Sequence, residues 1–460
     1  MMSPIFEFKK VLMVFKNYFS SMSKRELIVI FSFFCASSYT YSQNINTTDT
    51  VQYFNLDQCI VYALQHQPAI MQSSIDVSIA LKTNAINLSA WLPQVNLSGN
   101  FVHYNQLPTV LSEGHTGIIN TFLPQLSASE TIFSPDVLNA ARSAHLYVEQ
   151  AKQSNDSTKI NIIATVSKGF YNLLFTLEQM NVLKEDTARL AKNLRDTYHQ
   201  YVGGTADKTD YKEAFISLNN SKAQLKQMKE SVRPQYATLK QLMGFPPEKE
   251  FSVSFDTLQM MQEIAFDTTQ QLQYEKRIEY QQFQTVKSLQ QQSLNYYRSQ
   301  SLPTLSAFYN YVYEYEDNTF KNFLNQAYPY SYIGASISIP LFTGLRQRES
   351  IQRAKLEGQR IDWAEIGLKS SIYSEYTAAL ANYKSNLYDL DILRENVAMA
   401  KDVYGVVSLQ YKQGVIAYLN VITAESNLIS SEISYLNALF QVLLSKVDLE
   451  KAMGNTLSKY

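Results

Sequence analysis

The chain has 460 residues, enough for one large core or two ordinary domains, and a formal net charge of −1. That balance, with lysines and arginines scattered rather than gathered into an arm, excludes recruitment of nucleic acid by an overall field. Two cysteines, Cys35 and Cys59, exclude a disulfide framework, and 14 glycines exclude a glycine-rich low-complexity protein.

The N-terminus reads as an export signal. Lys24-Arg25 precede a short apolar run from Leu27 to Cys35, and small or polar residues lead on to Ser42. A helix needs about 20 apolar residues to cross a bilayer, and this run is too short. Residues 1–42 are therefore expected to be a signal peptide cleaved near Ser42, with Met22 as an alternative start. Phe34 is bulky where a lipid-attachment site at Cys35 would want a small residue. No later segment reads as a transmembrane helix. An exported chain of this kind is either soluble or inserted as strands, because only helices and closed barrels satisfy the backbone in lipid.

Beyond the signal, one spacing recurs. Leu56-Asp57 and Phe266-Asp267, Leu92-Pro93 and Leu302-Pro303, Tyr201/Gly204 and Tyr411/Gly414, and Met243-Gly244 and Met453-Gly454 are all 210 positions apart. The tracts from Phe133 and from Phe342 are 209 apart. We read a duplication, with repeat 1 over 43–255 and repeat 2 over 256–460.

Each repeat is expected to open with a helix of roughly 35 residues ending at Leu-Pro, followed by two strands and a long helical hairpin. In repeat 1 the strands fall at about 94–104 and 125–133, and the hairpin tip at 201–210. In repeat 2 they fall at about 304–315 and 331–341, with the tip at 411–420. Ile163, Val166, Phe170, Leu173, Leu177 and Met180 alternate at spacings of three and four, a heptad seam. Tyr373, Tyr376, Leu380, Tyr383, Leu387 and Leu390 repeat it. From Leu345 to Gln413 there is no proline, so this helix can extend roughly 100 Å at about 1.5 Å per residue.

The strands alternate with period two. Leu305, Ala307, Tyr309, Tyr311 and Tyr313 share one face, as do Ile333, Ala335 and Ile337, and Val95, Leu97, Gly99 and Phe101. A transmembrane barrel needs this pattern. On pattern alone, a soluble sandwich with one wet face is the stronger reading. Four strands cannot close a barrel, for which about eight are the minimum, so a membrane role would require several chains to share one.

Taken together, these features resemble the TolC family of outer-membrane channels. The residues that carry the resemblance are Leu56-Asp57, Ala63-Leu64 and Pro68, Leu92-Pro93, Ile339 to Gly344, both Tyr-x-x-Gly tips and the closing Met-Gly pairs. The resemblance implies an α+β membrane protein built as a homotrimer. A twelve-stranded outer-membrane β-barrel would continue into an α-helical coiled-coil barrel in the periplasm. It further implies a passive exit duct for small molecules or polypeptides. The partners would be a periplasmic adaptor, an inner-membrane efflux pump or secretion transporter, and outer-membrane lipid. No enzyme activity, cofactor or nucleic acid is expected. The alternative is a periplasmic coiled-coil adaptor or scaffold without a channel.

By the same resemblance, the tips carry the adaptor contact, at Tyr201, Gly203, Gly204, Tyr411, Gly414 and Val415. The gate is expected at Asp210, Asn420 and Thr423. The family often has an acidic residue six positions after the tip glycine. Repeat 1 keeps it as Asp210, whereas repeat 2 has Asn420. His66, His103, His115, His145 and His199 are far apart and form no HExxH or Cys–His motif, so no metal site is expected.

Overall fold

The computed structural model describes residues 52–106, 117–254, 264–267 and 269–455. The expected signal peptide, Met22, Cys35 and His115 lie outside the described residues.

The chain enters at β1 (Gln52–Phe54), followed by α1 (Leu56–His66) and α2 (Pro68–Leu88). Asn55 and Gln58 start α1 with a reciprocal capping box, at 2.8 Å and 3.0 Å. The single leading helix expected here is split in two. Pro68 cannot continue α1, and it drives Gln67 into an extended conformation before starting α2. In the second repeat the leading helix, α5 (Ile278–Ser299), has only 22 residues.

After Leu92-Pro93 come β2 (Gln94–His103) and β3 (Asn120–Phe133); after Leu302-Pro303 come β5 (Thr304–Asp317) and β6 (Ala327–Ser338). Together they form one antiparallel sheet in the order β2-β3-β5-β6. Both repeats therefore contribute to one sheet, and among the described residues β2 and β6 are its edge strands. β3 begins earlier than the sequence suggests, because Pro124 reads as a break. The ladder tolerates it: Pro124 pairs opposite Gly99, and the β3–β5 register resumes at Gln125↔Val312. β6 likewise runs through Pro329. A register shift between Thr131 and Phe133 leaves Ile132 as an extra residue.

The register sorts the two faces. Leu97 pairs with Leu126, Leu126 with Tyr311, Tyr309 with Ile333, and Leu305 with Ile337, so these apolar side chains share one face. That face is open: Leu97 is 79 % exposed and Ile333 80 %. The opposite face carries Asn96, Ser98, Gln125, Ser127 and Asn310, with Gln125 donating to Asn310 at 2.6 Å. Asn310 and Val312 on this face are buried. The sheet is thus apolar outside and polar inside.

Two hairpins complete the chain. α3 (Pro135–Val202, 68 residues) returns through α4 (Lys208–Met243), and α6 (Arg346–Lys412, 67 residues) returns through α7 (Tyr418–Met453). At about 1.5 Å per residue, α3 and α6 each span roughly 100 Å. The main core joins α1, α3, α4, α6 and α7 around Val166, Leu173, Leu174, Leu239, Met243, Val442 and Leu443. β1 pairs in parallel with β4 (Phe251–Val253) beside it.

α3 and α7 contain stretches long and apolar enough to pass for a membrane span by length and composition alone. Part of each packs in this core, where Phe175 of α3 meets Phe440 of α7 at 5.4 Å. The heptad seam holds for Ile163 to Leu173 and, in α6, from Tyr376 to Leu390; only at its start is Ile372 buried while Tyr373 is exposed. A straight helix of 3.6 residues per turn slips against a 3.5 repeat.

The 210-residue spacing is also visible in three dimensions. Gly244 and Gly454 end α4 and α7 with φ of 69° and 76°, each against the backbone carbonyl of a residue 210 apart, His66 and Lys276. Next to these carbonyls, Gln67 donates to the carbonyls of Gln241 and Leu242. Arg277, its counterpart, donates to those of Lys451 and Ala452. The two side chains satisfy the orphan carbonyls at the two helix ends.

Candidate functional site at the hairpin tips

Both tips close by the same hydrogen bonds. Gly204 donates to Tyr201 at 3.0 Å and Thr205 to Gln200 at 2.9 Å; Gly414 donates to Tyr411 at 2.9 Å and Val415 to Gln410 at 3.0 Å. Gly204 and Gly414 have φ of 75° and 73°. Nothing crowds either position, so glycine is favoured there by backbone conformation and not by space. Gly203 lies just before, in ordinary helical geometry.

The restarts differ. Asp207 caps α4 through its side chain at 2.6 Å, whereas Ala417 starts α7 without a side-chain cap. Tyr201 is partly exposed and packs on Tyr211 at 4.9 Å, and Val415 is 70 % exposed. Tyr411 packs on Tyr418 at 5.1 Å, and both hydroxyls are buried. Thr197 and Asp210 lie alongside the Tyr411 hydroxyl without meeting good hydrogen-bond geometry.

Of the three expected gate residues, Asp210 is half-buried against Tyr411, so it touches the other tip of the same chain. Burial raises its carboxyl above the ordinary value and nearby Asp207 adds to this, while Tyr411 opposes it. Asn420 and Thr423 are exposed on α7, one turn apart, and the Thr423 hydroxyl is turned back onto the carbonyl of Leu419 at 2.9 Å. The structure therefore brings Asp210 and Tyr411 together and leaves Asn420 and Thr423 apart from them.

A small apolar cluster of Ala214, Tyr418 and Val421, flanked by Leu194, Tyr404, Val407, Tyr411 and Ile422, joins the two hairpins near their tips. Next to it lies a charged group in which Asp186 and Glu425 are buried and Arg189 is partly exposed. Arg189 donates from Nε to Glu425 at 2.9 Å and from Nη2 to Asp186 at 3.1 Å. Asn193 donates to the second oxygen of Glu425 at 3.1 Å, and Ser221 to the second oxygen of Asp186 at 2.7 Å. Glu425 and Asp186 are each 2 % exposed. Arg189 also lies over the Tyr404 ring, 5.5 Å from its centroid. Desolvation raises the Glu425 carboxyl above its ordinary range, with Arg189 and Asn193 opposing.

The sequence reading missed this group. Its only local signal is an acid, Glu425, beside the apolar stripe Val421, Ala424 and Leu428. Among the described residues no cluster of His, Cys, Asp or Glu could hold a metal ion. Burial pushes the Cys59 thiol up to about 12, which makes it a core side chain without thiolate reactivity.

Comparison with known proteins places this architecture. Residues 59–245 match the outer membrane efflux protein family. The outer membrane protein TolC of Vibrio cholerae serotype O1 is 22 % identical over 419 residues, covering 88 % of this chain and 91 % of that protein. The solved CmeC outer membrane channel of Campylobacter jejuni superposes with a TM-score of 0.71 at 16 % identity, over 91 % of each chain. The open state of the Neisseria gonorrhoeae MtrE outer membrane channel gives 0.67 at 19 % identity, covering 92 % of this chain and 99 % of that one. The chain is thus similar to the outer membrane efflux protein family over its first repeat, and it shares the fold of solved outer membrane channels over most of its length.

Proposed function

We propose that the protein is a passive, trimeric exit duct in a bacterial outer membrane, extending into the periplasm. The observation that carries this reading is the sheet. Its exposed face is apolar, its inner face is polar, and among the described residues β2 and β6 are its edge strands. Such a sheet suits lipid outside and water inside. Four strands leave edges whose backbone groups lipid cannot satisfy, and three copies would supply twelve strands and close them.

The duct would receive cargo from a periplasmic adaptor and an inner-membrane efflux pump or secretion transporter. The exposed tip residues Tyr201, Gly203, Gly204, Gly414 and Val415, with Tyr411 beneath them, are the candidate adaptor contact. Asn420 and Thr423 are candidates for the constriction, and in three copies would form a neutral ring there. The chain would conduct without catalysing. A periplasmic scaffold would have no use for an outward apolar sheet.

Membrane fractionation, followed by gel electrophoresis with and without heating, tests the reading. An outer-membrane oligomer that falls apart only on heating is expected. A soluble periplasmic monomer would overturn the proposal.

A further inference from the structure

The inner face of the sheet has one exception to its polar character, along β6. Asn310 pairs opposite Tyr332, Val312 opposite Tyr330 and Glu314 opposite Tyr328. Residues directly opposite in a ladder share a face, so these three tyrosines stand on the same side as Asn310 and Gln125. Tyr330 and Tyr332 are stacked, with 6.4 Å between centroids and 15° between planes. Phe308, on the same face, meets Tyr332 edge-on at 6.2 Å. Its ring lies across Gly334, where a Cβ would approach to 2.6 Å, so β6 makes room for the row of rings. Tyr328, Tyr330 and Tyr332 are 46 %, 45 % and 47 % exposed, so nearly half of each faces the interior.

These rings are not the aromatic girdle of a barrel, because girdle residues face lipid. Tyr309, Tyr311 and Tyr313 of β5 take that outer face, with Ile333. The charge around the inner row is also one-sided. The four strands contain no lysine or arginine. Glu314 stands at the end of the row, beside Tyr328, and Glu316 follows it two residues on, on the same face.

We infer that this row is a binding track for monovalent aromatic cations along the wall of the passage. The inference rests on the exit-duct reading, which makes the inner face of the sheet a lumen wall. A flat aromatic ligand stacks on a tyrosine ring, and its positive charge is drawn to the ring face and to the two carboxylates. No cationic side chain on the strands opposes it. An aliphatic cation gains the charge attraction without the stacking, and an aromatic anion gains the stacking but meets the carboxylates. From Phe308 to Glu314 the row covers roughly 20 Å at about 3.4 Å per residue. A bound cation can therefore pass from ring to ring without leaving the wall. Several weak sites in a line suit conduction, since each holds the cargo and none traps it.

Block of single channels in a planar bilayer tests the track. The probes are ethidium, a planar aromatic cation; tetramethylammonium, a cation without a ring; and anilinonaphthalene sulfonate, an aromatic anion. Ethidium should half-block the native channel at a concentration on the order of tenfold below either of the others. Replacing two rings, in the double variant Tyr328→Thr with Tyr330→Thr, should raise the ethidium concentration needed on the order of tenfold. Threonine keeps a strand-forming residue at both positions. The pair Glu314→Gln with Glu316→Gln, nearly isosteric, should raise it about threefold and tests the track even if the tyrosine variant fails to assemble. Ethidium block no stronger than that of the other two probes would overturn the track, as would unchanged ethidium block in either intact variant. A native protein that never conducts would overturn the duct itself, and the track with it.

Discussion

The sheet and the hairpins of this chain obey opposite burial rules. In the sheet, Leu97, Ile333 and Ile337 point outward while Asn310 is buried. In the hairpins, Val166, Leu173, Leu174 and Val442 are inside. One chain has therefore been fitted to two solvents. The hydrophobic effect drives the helical core, because its alternative is water. It cannot drive the outer face of the sheet in the same way, because that face suits lipid.

The largest expected effect inverts the sheet rule. Leu97→Lys or Ile333→Lys places a charge on the apolar face, at a cost of about 2–4 kcal/mol at the bilayer midplane. Loss of heat-dissociable oligomer is expected on gels of membrane extracts. Ser127→Lys, on the polar face of β3, should be tolerated. Equal behaviour of the two faces would break the comparison.

The helical side is sharpened by Phe440→Ala, which removes the ring packed on Phe175 and should cost about 3–5 kcal/mol. Chemical denaturation of detergent-solubilised protein would measure it. The same truncation at Leu97 should cost far less, since that side chain has no core to leave.

At the tips, Gly204→Val and Gly414→Val each impose a left-handed conformation on a branched residue, at about 1–2 kcal/mol. Cysteine cross-linking to a candidate adaptor should weaken while oligomer yield persists. The neutral Asn420 and Thr423 predict weak block by multivalent cations, and strong micromolar-range block of single channels would contradict that. The smallest effect is expected at the strand-to-helix corner. Leu345 is there at φ 64°, so Leu345→Gly should stabilise by about 1 kcal/mol in a thermal melt.

What was legible in the sequence was local. Gly204, Gly414, Pro93 and Pro303 mark turns and element ends through their own backbone chemistry, so the order of elements and the 210-residue spacing could be read directly. The early starts of β3 and β6 were hidden because Pro124 and Pro329 read as breaks, and only a neighbouring strand shows where the ladder accommodates them. The exchange of Tyr373 for Ile372 at the core needed the true helical pitch. Arg189 and Glu425 are 236 positions apart, and no periodicity links residues paired by tertiary packing. Asp210 was legible as a candidate, but its contact with Tyr411 was not.

The central claim is that the sheet is one third of a shared barrel. Native mass measurement of the protein extracted from outer membranes in mild detergent tests it most directly. Three copies of the chain in one particle are the predicted result. A monomer that stays dispersed in water without detergent would contradict the account.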